Sequence, residues 1–214
     1  MTHKSFKFKE HNAYVTEQVE RHYKTQDRTR GRPHEIYVNK LKESFPEAKK
    51  VLCVGARDAS EVQAFIDAGF ESIGIDLWST DEDLVKLVDM HTLPDNFAED
   101  EFDVIFSCHS LEHSRFPDVV FQGFRKCTRL GAFIVLPFQL APNSKDPTVF
   151  SFMEAGGCKF KIDNPGEGVT KEMVQVDFND LLEDSFTCEV TDLVVCPLKP
   201  SQDDGYWISV KWNK

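Results

Sequence analysis

Two carboxylates and one glycine stand at the ends of strand-like runs, and together they could hold a nucleoside. Val51-Leu52-Cys53-Val54 is a short apolar run that enters the turn Gly55-Ala56-Arg57. Twenty-one residues beyond Gly55, the run Ser72-Ile73-Gly74-Ile75 ends in Asp76, and Leu84-Val85-Lys86-Leu87-Val88 ends in Asp89. A ribose presents two adjacent hydroxyls, and one carboxylate at a strand tip can accept a hydrogen bond from each. The spacing therefore predicts a nucleoside-bearing cofactor lying across the strand ends of an open α/β sheet.

The turn separates two classes of such cofactor. A dinucleotide pyrophosphate needs close backbone approach, which calls for G-x-G-x-x-G. Here the turn reads Gly55-Ala56-Arg57-Asp58-Ala59-Ser60, so Arg57 and Ser60 fill the later glycine positions and Asp58 repels a phosphate. S-adenosylmethionine carries no phosphate. It needs one open backbone position, hydrogen bonds for its amino-acid end and an acid for its ribose, and the sequence meets these needs better.

The elements that must position these groups follow from the apolar pattern. Residues 1–48 read as a polar, helical preface, with Val15, Val19 and Tyr23 on one face and a second helix from His34 to Phe45 carrying Ile36, Val38, Leu41 and Phe45. After the Gly55 turn, Asp58 or Ser60 is placed to cap a helix that carries Val62, Phe65 and Ile66, with Gly69 just past its end. Strands are predicted near 72–76, 84–88, 102–107 and 131–136, with a helix from about Phe116 to Arg129. Alternating short apolar runs and helices imply a parallel sheet covered on both faces. Residues 138–172, rich in Pro and Gly, read as a long irregular binding region. A helix near 171–182 and an antiparallel pair near 187–196 and 206–212 complete the chain. The whole reads as one domain: a helical cap over 1–48, a cofactor-binding core over 49–137, and acceptor loops with a C-terminal hairpin over 138–214.

At 214 residues, 41% hydrophobic and with 18 phenylalanines, the chain can bury a full core. Its net charge of −11 disfavours long nucleic acid, which is gripped through a basic face. The six cysteines form no CxxC pair and read as buried free thiols. The N-terminus has no signal-peptide core and no window reaches membrane-spanning length, so a soluble, cytoplasmic protein without a membrane partner is expected.

Several other residues could act chemically. His109-Ser110-Leu111-Glu112-His113 matches H-x-x-E-H, a zinc-peptidase signature that requires a long helix. Here it follows a strand directly, with Pro117 four residues on, so no metal is expected. His109 and His113 remain candidates for general base, since an unperturbed imidazole titrates near neutrality. The plainer reading of His113 is a ring that holds its loop. Arg57 reads as a partner for a cofactor carboxylate or for Glu61, or as a surface arginine. The basic cluster from Arg21 to Arg32 reads as a solvated face, or as a cap or anion site.

The stretches Val51–Arg57, Gly74–Leu77, Asp89–Pro94, Phe102–Ser107 and Leu111–His113 occur in the order and spacing of class I S-adenosylmethionine-dependent methyltransferases. Over about residues 49–137 the chain resembles the broad group described as methyltransferase type 11 domains. Arg57 stands where that group more often has the second glycine of G-x-G-x-G. The resemblance implies a Rossmann-like α/β fold with a seven-stranded, mostly parallel sheet and an antiparallel C-terminal hairpin. It implies S-adenosylmethionine as cofactor and methyl transfer to oxygen, nitrogen or carbon of a small-molecule or glycan-like acceptor. Residue by residue, Gly55, Ala56 and Arg57 would face the methionine part, Asp76 the ribose and Leu77 the adenine. Asp89 would accept from the adenine amino group with Met90 beside the ring. Ser107 and Cys108 would line the sulfonium end. Two other readings stay open: a nucleotide-dependent oxidoreductase or epimerase, and a non-catalytic, methyltransferase-like binding subunit.

Overall fold

The computed structural model describes residues 8–24, 34–114, 117–137, 149–151, 159–161, 188–196 and 205–212. Helices α1 (Phe8–Lys24) and α2 (His34–Ser44) precede strand β1 (Lys50–Val54), helix α3 (Ser60–Asp67), and strands β2 (Glu71–Asp76) and β3 (Val85–Leu87). Then follow the short helix α4 (Leu93–Asn96), strand β4 (Phe102–Cys108), helix α5 (Pro117–Cys127) and strand β5 (Thr128–Pro137). Strands β6 (Val149–Ser151), β7 (Lys159–Lys161), β8 (Cys188–Cys196) and β9 (Gly205–Trp212) end the series.

Seven strands form one sheet in the order β3-β2-β1-β4-β5-β9-β8, parallel except for β9 and β8. The chain runs outward from β1 to β3, then crosses back to β4 on the other side of β1. That reversal opens a crevice at the tips of β1 and β4, where ligands of open α/β sheets bind.

Period-two alternation sorts the core onto two faces. Leu52 and Val54 of β1, with Ala132 and Ile134 of β5, face α5, which supplies Val120, Phe121, Phe124 and Cys127. Val51 and Cys53, with Phe106, Phe133 and Val135, face α2 and α3, which supply Tyr37, Leu41, Val62 and Phe65. Gly74 lets β2 approach this second layer, because a Cβ there would stand 2.7 Å from Ala56 Cβ and 2.8 Å from Val62 Cγ2.

The structure adjusts several expectations. The buried face of α1 is His11, Tyr14 and Gln18; Val15 and Val19 are only half-buried and Tyr23 is exposed. In α2, Tyr37 is buried while Ile36 points outward. Strand β5 begins three residues earlier than its apolar run. A register shift lies there, with the step Phe102–Val104 on β4 facing the step Thr128–Gly131 on β5. Thr128 is fixed by donating to Phe124 O (2.6 Å) and accepting from the Trp212 indole (2.7 Å). The stretch read as irregular contains the antiparallel pair β6–β7. The helix expected near 171–182 lies outside the described residues. Cys53, Cys108 and Cys127 are buried free thiols.

Candidate functional site

The tips of β1 and β2 are tied together before any ligand is considered. Gly55 has φ +82°, a conformation that L side chains rarely adopt. Its N–H and that of Ala56 both donate to Ile75 O (2.8 and 3.1 Å). A Cβ on Gly55 would stand 2.3 Å from Ser110 Oγ, so the turn also sits directly on the loop after β4. Ser110 locks that contact by donating to Val54 O (2.8 Å). The helix that follows starts without a side-chain bond from its cap residue Ala59, itself at φ 58°. Asp58, one position outside, instead accepts from Ser60 N and Ser60 Oγ.

Asp76 closes β2 and is 7% exposed. Its Oδ1 accepts from Leu77 N (2.7 Å) and Trp78 N (3.3 Å), and its Oδ2 from Arg57 N (3.1 Å). Three backbone donors thus fix the carboxylate between the two turns. The Arg57 guanidinium lies 5.7 Å from the Trp78 ring centroid, a cation–π contact that holds it along the rim.

Asp89 lies two residues beyond β3 and opens a short 3₁₀ turn, Met90–Thr92. Its Oδ1 accepts from His91 N (3.0 Å) and His91 Nδ1 (2.6 Å); its Oδ2 accepts from His11 Nε2 on α1 (2.6 Å). Since a carboxylate only accepts, His91 Nδ1 carries a proton, and its Nε2 meets Ser114 Oγ at 2.9 Å. Burial pushes the Asp89 carboxyl up. The His91 hydrogen bond, the charge of that ring and the His11 bond outweigh this and lower it to about 2. The same helix brings the Tyr14 hydroxyl to donate to His113 O. Helix α1 is therefore clamped over the strand tips at two points, 78 and 99 residues away in sequence.

One cavity joins these groups. Its wall includes Gly55, Ala56 and Arg57, Asp76 and Leu77, Asp89 and Met90, and His109 and His113. Tyr14, Gln18, Glu61, His91 and Ser110 complete much of the rest. Ser107 and Cys108, expected at the sulfonium end, do not line it. Strand β4 continues through Cys108, so both are buried within the sheet at 1% and 0% exposure, and the wall there is His109 and Ser110. His109 has φ 52°, and only Leu111–His113 forms a single 3₁₀ turn. The long helix that would put both imidazoles of H-x-x-E-H on one metal is not formed.

Residues 52–136 match the family model for a methyltransferase domain. Over this stretch, 85 of the 214 residues, the chain is similar to the methyltransferase domain family. No curated protein matches the chain. Among solved structures, a Burkholderia thailandensis 1,6-didemethyltoxoflavin N1-methyltransferase, crystallised with 1,6-didemethyltoxoflavin and S-adenosylhomocysteine, has a similar fold. It aligns with TM-score 0.66 and 13% identity over 99% of this chain and 92% of its own. A sugar N-methyltransferase from a Streptoalloteichus species aligns with TM-score 0.55 and 11% identity, covering 90% and 92%. An S-adenosylmethionine-dependent methyltransferase assigned in Listeria monocytogenes gives 0.53 and 12%, covering 86% and 100%.

The cavity offers groups that suit S-adenosylmethionine: a buried accepting carboxylate at the β2 tip, a backbone turn free of side-chain bulk at Gly55, and apolar Leu77 and Met90, each next to one of the two acids. Among the described residues, His11, Asp89 and His91 are a group whose ligand atoms all lie within 4.8 Å. Ligands of one tetrahedral zinc ion, each at about 2.0–2.1 Å from it, stand roughly 3.3 Å apart. The two 2.6 Å contacts here are those of shared protons. No helix among the described residues is long and apolar enough to cross a membrane.

Sequence reasoning missed Tyr14, Gln18, His91 and Ser110 as wall residues. The pattern D-x-H at 89–91 carried a signal, since a ring two residues on can reach back to the carboxylate. For Tyr14 and Gln18 a helical spacing was present, but on polar residues that do not mark a core.

Proposed function

We propose that the domain transfers a methyl group to a nucleophilic oxygen, nitrogen or carbon of a small-molecule or glycan-like acceptor. In this reading Gly55, Ala56 and Arg57 face the cofactor's methionine part, Asp76 accepts the ribose hydroxyls, and Leu77 and Met90 sandwich the adenine. Asp89 spends two bonds on Oδ1 and one on Oδ2, which leaves an accepting position on Oδ2 for the adenine amino group. When bound, S-adenosylmethionine supplies an electrophilic methyl on a sulfonium.

The chain's own contribution is position and proton handling. Alignment of the acceptor with that methyl supplies much of the rate. His109 and His113 share the cavity wall with Tyr14 and Gln18, so an acceptor O–H or N–H bound there stands beside an imidazole. That imidazole takes the proton as the new bond forms. His109 is held in a left-handed conformation that costs about 1–2 kcal/mol in a non-glycine residue, and such strain is concentrated at functional sites. Two fold neighbours are N-methyltransferases of small molecules, in keeping with an acceptor of this size.

The observation that carries the reading is the convergence of Asp76, Asp89, the Gly55 turn and both histidines on one cavity. Calorimetric titration with S-adenosylhomocysteine tests the first half, and its binding is expected. A screen of amino sugars, hydroxylated sugars and heterocyclic amines, read by S-adenosylhomocysteine release, tests the second. Binding with no turnover on any acceptor class would favour a binding subunit.

A further inference from the structure

Two of the three inward side chains of α1 are spent on the protein itself, and the third is not. His11 reaches Asp89, and Tyr14 donates to His113 O. Gln18 follows them at helical spacing on the same face, is 6% exposed and lines the cavity. Its carboxamide makes no hydrogen bond among the described residues. Buried polar groups are almost always paired, so an unpaired amide on a cavity wall points to a ligand. A leucine would cover the same surface without the cost of stripping an amide of water.

The two clamps also give the direction of the helix. It passes from Asp89, beyond β3, to His113, on the loop after β4. Gln18 comes one turn later, about 6 Å farther along the axis. That carries its amide away from Asp89 and toward the side of the cavity where His109 and His113 stand.

We propose that Gln18 is a specificity-determining residue that binds the methyl acceptor. This rests on the reading that the acceptor lies against the wall beside His109 and His113. A carboxamide presents a donor and an acceptor along one edge. The complementary ligand carries a neutral donor and acceptor side by side, as do the N–H and C=O of a cyclic amide or two vicinal hydroxyls of a sugar ring. A ligand that offers neither leaves the amide unpaired in a site closed to water, which is how a hydrogen-bonding site rejects a near-isostere.

The test uses the full chain saturated with S-adenosylhomocysteine and follows small probes by ligand-observed NMR titration. One arm compares uracil with its N,N′-dimethyl derivative, which has no N–H. The other compares methyl glucopyranoside with tetrahydropyranyl methyl ether, which has no hydroxyls. In at least one arm wild type should bind the complete probe about tenfold or more tightly than its blocked partner, the scale of two neutral hydrogen bonds. The arm that does so names amide or sugar as the source. Gln18→Leu should cut that preference to less than about twofold, while S-adenosylhomocysteine affinity by calorimetry stays within about twofold. No preference in either arm by wild type overturns the proposal without any variant. A preference that survives Gln18→Leu also overturns it, as does a loss of S-adenosylhomocysteine affinity in that variant, which would put Gln18 on the cofactor. Wild type that fails to bind S-adenosylhomocysteine would instead remove the cofactor reading, and this proposal with it.

Discussion

Gly55→Ala isolates the contact on which the site geometry depends. The new Cβ would stand 2.3 Å from Ser110 Oγ and 2.4 Å from Ser110 Cβ. Removing the hydroxyl alone therefore cannot relieve it, because the Cβ overlap remains. Three costs add. Alanine at φ +82° costs about 1–2 kcal/mol. Forcing an atom into the packed contact costs roughly 1–3 kcal/mol. Displacing Ser110 breaks its buried bond to Val54 O, at about 1 kcal/mol. A loss of about 4 kcal/mol is expected, a large share of the 5–15 kcal/mol typical of a domain. Urea unfolding of a four-member cycle separates the parts. In a Ser110→Gly background the steric component vanishes and Gly55→Ala should cost only about 1–2 kcal/mol, leaving a coupling of about 2 kcal/mol. Ser110→Ala should give little rescue. A Gly55→Ala penalty under about 1 kcal/mol, or one unchanged by Ser110→Gly, would refute the proposed seating of the turn on the β4 loop.

Three further outcomes are expected. Asp76→Asn places an amide nitrogen against at least one of the backbone donors from Arg57, Leu77 and Trp78, and should weaken S-adenosylhomocysteine binding by about 10- to 100-fold; unchanged affinity by calorimetry would contradict the ribose role. His109→Asn keeps a residue that tolerates the left-handed region, so stability should stay within about 0.5 kcal/mol, while turnover on a protonated acceptor should fall by about 10²-fold or more if that imidazole is the base. For Asp89, the folded carboxyl is lowered from 3.8 to about 2. Its stabilisation is thus complete above about pH 5 and is lost as pH falls through 2. Urea unfolding should find Asp89→Asn weaker by about 2 kcal/mol at pH 5 and by about half as much at pH 3; a gap independent of pH would exclude the charge on Asp89 as its source.

The parts of this molecule that packing dictates were legible in one chain, and the parts that recognition dictates were not. Strands β1, β2 and β4 are apolar runs because both sheet faces are covered, so their tips, and with them Gly55 and Asp76, could be placed from the pattern alone. Strand β3 was overrun because at the sheet edge Leu87 is exposed and only half the apolar signal marks pairing. The resemblance sets Ser107 and Cys108 at the sulfonium end, whereas the β4 ladder continues to Cys108 through backbone bonds that no side chain announces and leaves both buried within the sheet.

Helix α1 shows the limit most clearly. Its apolar residues Val15, Val19 and Tyr23 suggested a face, yet the helix rests on a strand-tip surface of carboxylate, carbonyl and imidazole groups. A face that meets such groups is stabilised by hydrogen bonds, so burial falls to His11, Tyr14 and Gln18, and the apolar positions rotate toward the edge. Hydrophobic periodicity identifies helices that cover a core; it is silent about helices that cover a site. Helix α3 is the contrasting case. Helix α3 sends Val62 and Phe65 into the apolar layer and buries one acid, Glu61, among them. There the apolar spacing marks the buried face correctly for Val62 and Phe65, because α3 packs on the face of the sheet rather than across the strand tips.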